Sequence, residues 1–571
     1  MSSGRQIRGR AARFAGGTLL SRVTGAARDI VLASCLPTWL FDVFIVAFTI
    51  PNTLRTLIAE GATSSAIVPL YAAIDPSDRA ARADFLRRAL GFVVSIAALS
   101  SLLLLFGAGL LINLYAPGLS DASREQAVVF VRAFGPYVIL LAWTAALQGV
   151  LTAEHRLGLV GALPGLLNLG LIAGAVASLS PELSATWTLT AGLYGAALVQ
   201  LIASARALRH LGKSLWPTLR RWDALSGQMM GLLGPTLVLS AVYQAQVLLT
   251  RAYASYAGLG AQTYLYLGQR LIEVPLALVA ASLSTALLPE LSRSAAAEGG
   301  GHPASQGRAD GQKAAPTTTN DTNARSDSEV RNSDRGGTPK DALADVEAID
   351  ASRTSEGHGK HHLLGSSLRG GLFLVWPVVL VLCLCGYEIA DLLFGRGEFS
   401  AKDSAATAAS LRIQALGLLP AFSARLLTPV FYARKRPSLL AYATVLQLVA
   451  YAACGAPLLR SHGHVGLALA STLALLVYAV TLAAVACRLD KTLAAALRAQ
   501  TLPLLKQLTA VSLAAGMALL ALPCLAPWPG WARLGAVSLG ASSLYLVVIV
   551  ALDTELRAAL QRLLTRAQVG A

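Results

Sequence analysis

Long runs of apolar residues recur along this chain, and they constrain its fold more than any other feature. A helix needs about 20 mostly apolar residues to cross the hydrocarbon core of a bilayer. The 571-residue sequence contains fourteen such segments. They lie at 13–35, 41–72, 88–115, 127–152, 160–179, 186–208, 227–254, 262–290, 366–394, 404–432, 438–459, 464–487, 501–524 and 532–552. The sequence therefore predicts an all-α polytopic membrane protein with fourteen transmembrane helices.

The composition excludes an ordinary soluble protein. Hydrophobic residues make up 55% of the chain and charged residues 14%, whereas soluble globular proteins carry roughly 25% charged residues. A net charge of +16 would indicate nucleic-acid binding in a soluble domain. In a membrane protein, basic cytoplasmic loops explain the same excess. We therefore expect no nucleic-acid partner.

The basic residues also predict the orientation of the chain. Lys and Arg cluster in alternate loops, as at 79–88, 206–221 and 434–436, and few lie in the loops between. Cytoplasmic loops carry this excess in membrane proteins. The pattern predicts a multi-pass protein of the bacterial cytoplasmic (inner) membrane with both termini in the cytoplasm.

A weak internal repeat indicates two similar bundles. The segment GGTLLSRV at 16–23 resembles GPTLVLSAV at 234–242. Two related six-helix bundles with a site between them are a common transporter plan. We therefore predict two six-helix lobes around a central cavity, followed by two C-terminal helices. The predicted divisions are 1–210 for helices one to six, 211–292 for helices seven and eight, 365–490 for helices nine to twelve and 491–571 for the last two helices and a cytoplasmic tail.

A polar insert separates helices eight and nine. Residues 295–362 are rich in Gly, Ser, Thr, Asp and Ala and contain no aromatic residue. Such a segment buries too little apolar surface to offset the entropy lost on ordering. We therefore predict a disordered cytoplasmic insert over 293–364.

Charged and polar side chains within the predicted helices mark a candidate site. A charged residue near the bilayer centre costs at least ~2.5–3.5 kcal/mol and indicates function by default. The residues concerned are Arg22, Arg28, Asp29, Asp42, Asn52, Arg55, Glu60, Arg270, Glu273 and Arg425. The arginines favour an anionic ligand in a wet cavity, because the planar guanidinium suits phosphate oxygens.

A structural role is the alternative for these charges. Arg28 would then pair with Asp42, and Arg270 with Glu273 three residues further along its helix. Arg55 and Glu60 would extend from the end of their helix toward the cytoplasmic surface.

Four motifs resemble one transporter family. The segments SRVTGAARDIVLA at 21–33 and DVFIVAFTIPNTLRTLIAEGATSSAIVPLYA at 42–72 resemble the signature of the MurJ/MviN lipid II flippase family. The segments QRLIEVPLALVAASLSTALLPELSR at 269–293 and TPVFYARKRP at 428–437 resemble its eighth and tenth helices. The resemblance implies the fold of the multidrug/oligosaccharidyl-lipid/polysaccharide exporter superfamily.

This resemblance also implies a function. Members move the undecaprenyl-diphosphate-linked peptidoglycan precursor, lipid II, from the inner to the outer leaflet by alternating access. The implied substrate-binding residues are Arg22, Arg28, Arg55 and Arg270, and the supporting polar residues are Asp29, Asp42, Asn52, Glu60, Glu273 and Arg425. The last two helices are implied to form a groove for the polyprenyl tail. Thr49 and Gln269 depart from the family pattern, which often has Lys and Asp there.

No covalent chemistry is expected of this chain. It shows no Ser-His-Asp constellation or metal cluster, so we predict neither an enzyme nor a cofactor, and the coupling source stays open between the membrane potential and a monovalent cation. The expected partners are lipid II, membrane lipids and proteins of cell-wall synthesis. Two alternatives stay open: an exporter of another polyprenyl-linked saccharide or of drugs, and a non-transporting cell-wall scaffold.

Deleting residues 295–362 separates transport from a scaffold role of the insert. We expect the shortened protein to support growth of cells depleted of their own flippase, because the helices would carry the transport activity. A matched replacement of the insert by a Gly/Ser linker of equal length controls for the distance between the flanking helices. Loss of growth with both variants at normal membrane levels would contradict this expectation.

Overall fold

The computed structural model describes most of the chain. It covers residues 2–57, 66–210, 216–218, 224–276, 365, 367–434, 436–489, 491–554 and 557. Helices account for nearly all of this part, which contains no strand. The predicted insert at 293–364 and the site residue Glu60 lie outside the described residues.

Nine helices are described in the N-terminal half. They are α1 (Ser2–Cys35), α2 (Thr38–Arg55), α3 (Val68–Ala72), α4 (Arg79–Phe106), α5 (Ala108–Tyr115), α6 (Asp121–Phe134), α7 (Tyr137–Ala153), α8 (Leu157–Ala177) and α9 (Ala185–Ala207).

The described part of the C-terminal half contains ten helices. They are α10 (Ala224–Tyr256), α11 (261–276), α12 (Ser367–Leu384), α13 (Gly386–Phe394), α14 (Ala401–Leu416), α15 (Leu418–Ala433), α16 (Ser438–Leu489), α17 (Lys491–Ala499), α18 (Thr501–Leu525) and α19 (Gly530–Leu552). Within α16 the backbone leaves helical geometry at Gly463, with φ 56° and ψ −134°. That kink separates the eleventh and twelfth predicted segments.

The helices agree with the predicted all-α membrane fold. Each predicted segment overlaps a helix, and the parts of 41–72 and 262–290 at 58–65 and 277–290 lie outside the described residues. In the described part, seven helices are long and apolar enough to cross a membrane, or nine if each of two bent pairs is one span. The helices α1, α2, α10 and α11 fall outside this group. The number fourteen and the predicted domain boundaries therefore stay predictions.

Close packing of small residues joins the helices of the N-terminal half. α8 packs between α1 and α9. A Cβ atom added at Gly192 of α9 would lie 2.1 Å from the Gly170 carbonyl oxygen of α8. Small residues at such crossings let membrane helices approach closely, and packing then takes the place of the hydrophobic effect.

Aromatic rings fill the centre of the same half. Phe44 of α2 lies against Phe130 and Phe134 of α6, with ring centroids 6.2 Å apart in both pairs. Both contacts are edge-on, the geometry that the ring quadrupole favours. This packing fixes α2, which carries several candidate site residues.

The last two long helices pack on α12 and α13. An ion pair joins Arg369 of α12 to Asp553, the residue after α19. Gln507 of α18 donates to the Arg369 carbonyl at 3.0 Å, and the Tyr545 hydroxyl donates to the Phe373 carbonyl at 3.3 Å. α18 and α19 are thus attached through polar contacts as well as apolar ones.

Gly192→Ala should destabilise the N-terminal half. The added methyl group meets a backbone carbonyl rather than a flexible side chain, and overpacking of this kind costs about 1–3 kcal/mol. Gly195 on the same helix is the matched control, since a Cβ there meets nothing within 4 Å. Thermal unfolding in detergent should show a lower Tm for Gly192→Ala and an equal or higher Tm for Gly195→Ala. Equal Tm values for the two variants would contradict the packing account.

Candidate functional site

A buried cluster of charges joins the two halves of the molecule. Arg28 and Asp29 of α1 are 6% and 2% exposed. Arg28 donates from Nε and Nη2 to Asp29 Oδ1, at 2.9 and 2.6 Å. Arg270 of α11 places its Nε 3.2 Å from Asp29 Oδ2. One carboxylate therefore pairs with two arginines, one from each half.

The hydroxyl of Tyr266 lies at the centre of this cluster. It accepts from Arg28 Nη2 at 2.8 Å and from Arg270 Nε at 3.2 Å, and it donates to Asp29 Oδ1 at 3.1 Å. Sequence reasoning missed Tyr266. Its position four residues before Arg270 places both on one face of α11, and this spacing was the available signal.

Asn168 of α8 completes the shell around Arg28. Its Oδ1 accepts from Arg28 Nη1 at 3.1 Å, and its Nδ2 donates to the Ser21 carbonyl and to Thr24 Oγ1, at 3.1 and 3.2 Å. This residue was also missed. A single amide within the apolar stretch of α8 was the signal, because a polar side chain inside a membrane helix requires a partner.

The predicted pair on α11 is present. Arg270 Nη1 lies 2.8 Å from Glu273 Oε2, and both side chains are nearly half exposed. Gln269 donates to Glu273 Oε1 at 3.5 Å. Arg270 thus bridges the buried carboxylate of Asp29 and a partly solvated one.

A third arginine lies close to the cluster. The guanidinium carbon of Arg251, in α10, is 5.8 Å from the centre of the Tyr266 ring, and that of Arg270 is 5.2 Å from it. Arg251 was not among the predicted site residues. Arg251 thus adds a third guanidinium close to the two that share Asp29, and closely spaced arginines favour an anion.

Asp42 does not pair with Arg28, so this structural alternative is wrong. Asp42 Oδ2 accepts from the Gly260 N–H at 2.6 Å, and Oδ1 accepts from the N–H and Oγ1 of Thr263 at 2.8 and 2.7 Å. The first N–H groups of a helix lack partners within it and carry partial positive charge. The N-terminus of α11 is therefore the partner of Asp42, in place of the arginine that was expected.

The remaining predicted residues lie elsewhere. Arg22 is exposed on α1, and Arg425 is exposed on α15. Arg55 donates from Nε to Asn52 Oδ1 at 2.9 Å within α2. Of the four predicted substrate arginines, the structure thus brings together Arg28 and Arg270. Among the described residues, no three His, Cys, Asp or Glu side chains are grouped so as to hold a metal ion.

The two halves also touch where α1 ends and α11 begins, which we call the closed end. The Gly118 N–H donates to Ser255 Oγ at 2.9 Å, and the Glu398 N–H donates to the Ser34 carbonyl at 3.0 Å. Gly397 has φ +62°, and a Cβ there would lie 2.1 Å from the Ser34 oxygen. With Asp42, these contacts join the halves on one side of the charged cluster.

Comparison with known proteins gives one consistent match. The family model described as lipid II flippase MurJ matches residues 37–310 and 351–529. A probable lipid II flippase MurJ from Bdellovibrio bacteriovorus is 28% identical over 485 residues, which cover 82% of this chain and 80% of the relative.

Solved structures agree on the fold. A lipid II flippase MurJ in an inward closed conformation superposes with a TM-score of 0.69 at 18% identity, over 95% of this chain and 99% of that one. An inward-facing multidrug resistance MATE transporter of the MOP superfamily gives a TM-score of 0.60 at 11% identity, over 83% of this chain and 95% of that one.

Asp29→Asn should destabilise the protein by leaving two arginines close together without their shared carboxylate. Removing one partner of a buried ion pair costs about 3–5 kcal/mol, so the Tm in detergent should fall. Inorganic pyrophosphate should raise the Tm of this variant more than that of the wild type, because the anion replaces the lost charge.

Asp121→Asn is the control for that measurement. Asp121 pairs with Arg124 at 3.3 Å, but its side chain is 95% exposed, and exposed pairs contribute only about 0–1 kcal/mol. A Tm for Asp29→Asn equal to that of this control would contradict a stabilising role for the cluster.

Proposed function

The chain belongs to the lipid II flippase MurJ family, and from that premise we propose that it moves lipid II from the inner to the outer leaflet of the cytoplasmic membrane. Transport proceeds by alternating access, in which two lobes rock around a central site. The observation that carries the proposal is the cluster of Arg28, Asp29 and Arg270 between the two halves.

The charged cluster supports binding of a diphosphate. Arg28 and Arg270 share the single carboxylate of Asp29, while a diphosphate offers several oxygens that each guanidinium can engage in pairs. A bound diphosphate competes with Asp29 for both arginines. Binding therefore exchanges an internal contact between the halves for a contact with substrate, and only such a differential interaction can shift a conformational equilibrium.

The contacts of the closed end support a gate on the side of the membrane opposite to the one from which lipid II enters. Three acceptors at this end each bind a donor of the opposite half. They are the carboxylate of Asp42, the hydroxyl of Ser255 and the carbonyl of Ser34. Outward opening requires these bonds to break together. Because these bonds are polar, water can replace their partners when the gate opens.

The distribution of Lys and Arg favours a closed end that faces outward, with both termini in the cytoplasm. An inside-negative membrane potential then favours outward movement of the anionic headgroup, by about 2.3 kcal/mol per charge per 100 mV. We take the potential as the driving force and assign no cation site. The face of α18 that carries Leu505, Leu513 and Leu520, all exposed, is available to the polyprenyl tail and to membrane lipids. Proteins of cell-wall synthesis are the proposed protein partners.

The amount of lipid II on the outer face should fall at least about tenfold in Arg28→Gln and in Arg270→Gln. Each variant removes one arginine that would leave Asp29 to bind the diphosphate. The measurement is the accessibility of the lipid II headgroup to a membrane-impermeant probe in cells depleted of their own flippase and expressing this protein.

Arg132→Gln is the matched control. Arg132 is an exposed arginine on α6, a helix that contributes nothing to the cluster, and its loss should leave accessibility unchanged. Full activity of Arg28→Gln would contradict the proposed site. Wild-type protein at normal membrane levels with no lipid II on the outer face would contradict the function itself, in favour of another lipid-linked saccharide or a scaffold.

A further inference from the structure

Among the described residues, Arg251 donates a hydrogen bond to one side chain, and one of its donors has no acceptor. Its Nη1 donates to Gln262 Oε1 at 3.1 Å, and Gln262 Nε2 returns a bond to the Arg251 carbonyl at 2.7 Å. Gln262 is 1% exposed. The Nε of Arg251 is shielded from solvent and has no hydrogen-bond partner among the described residues. A buried donor without an acceptor is destabilising, so this guanidinium favours a ligand that supplies an acceptor.

A polar stripe on α11 links Arg251, which binds it from α10, to Arg270. Gln262, Tyr266 and Arg270 are spaced by four residues and so share a face of the helix. The stripe runs about 12 Å from the closed end toward the middle of the molecule. Arg251 binds its first residue, Arg270 is its last, and both guanidinium groups lie within 6 Å of the Tyr266 ring centre between them.

Arg251 lacks the direct ion pair that Arg28 and Arg270 have, although Asp42 lies within electrostatic range of it. In the part of the chain that the structure describes, no carboxylate forms an ion pair with it, whereas Arg28 and Arg270 both pair with Asp29. Both oxygens of Asp42 are committed to the N-terminus of α11. A cation without a direct ion pair inside a membrane protein is costly and indicates a functional site.

We propose that Arg251 forms a second, deeper anion subsite, which takes the diphosphate from Arg28 and Arg270 before release at the closed end. The proposal rests on the proposed function and adds a step to it. Tyr266 lies close to both subsites and offers its ring to both cations. The diphosphate then passes between cations over a short distance, so it never lies in the cavity without a counter-charge.

The alternative is that Arg251 only braces α10 against α11 through Gln262. Gln262→Leu removes the brace and keeps the charge of Arg251. Arg251→Lys keeps a charge near the same place and removes the planar fork that binds Gln262. Arg251→Gln removes both. These three variants separate the role of the charge from the role of the contact.

Two measurements on purified full-length protein test the proposal. The first is the affinity for lipid II in detergent, and the second is the rate of lipid II flipping in proteoliposomes. For Arg251→Gln we expect flipping to fall at least about tenfold and the Kd to stay within about threefold of wild type, while Arg270→Gln weakens binding itself. Arg251→Lys and Gln262→Leu both keep the charge, so each should keep more of the flipping rate than Arg251→Gln.

Each contrary outcome is distinct. Equal flipping by wild type and Arg251→Gln overturns the second subsite, and so does an equal loss of affinity in Arg251→Gln and Arg270→Gln. Gln262→Leu and Arg251→Lys each keep the charge and remove the brace. If both lose flipping as completely as Arg251→Gln, the second subsite is overturned in favour of the brace. Wild-type protein that neither binds nor flips lipid II overturns the proposed function and, with it, the subsite. Tm values compared in the same detergent show whether any variant has failed to fold.

Discussion

The carboxylate of Asp29, buried between Arg28 and Arg270, is the interaction on which the rest of the structure depends. Two guanidinium groups from opposite halves of the chain lie against one buried acid, and without that acid they would repel each other. The surrounding groups are arranged to keep them there. Tyr266 shares its hydroxyl among all three, and Asn168 fixes Arg28 against α8. The halves are therefore held together by two arginines that an anion of higher charge can bind in competition with Asp29.

A second set of contacts at the closed end supports the proposed gate. There the halves meet through bonds to backbone groups, such as those of Asp42 to the first N–H groups of α11 and of Ser34 to Glu398. α11 takes part in both places, since its N-terminus is held by Asp42 and its third turn carries Arg270. A helix that joins the central cluster to the closed end gives the proposed binding site a mechanical link to the proposed gate. Alternating access requires such a link.

Much of this could be predicted from the sequence. Apolar segments of spanning length indicated the membrane fold, and charges inside them indicated Arg28, Asp29 and Arg270. The spacing of Arg270 and Glu273 predicted their pair. The partner of Asp42 could not be predicted, because backbone N–H groups at a helix terminus carry no residue type that a sequence displays. Tyr266 and Asn168 contact Arg28 across 238 and 140 positions of the chain, and only the packing of α1 against α8 and α11 brings them together.

Distance measurements between the two halves test the central claim most directly. Spin labels at Leu183 and Lys402, exposed positions in the N-terminal and C-terminal halves, report the separation near the closed end by double electron–electron resonance in a cysteine-free background. The account predicts that lipid II populates a longer distance in the wild-type protein and does not do so in Arg270→Gln. A distance distribution unchanged by lipid II in protein that still flips it would contradict a gate controlled by the buried charges.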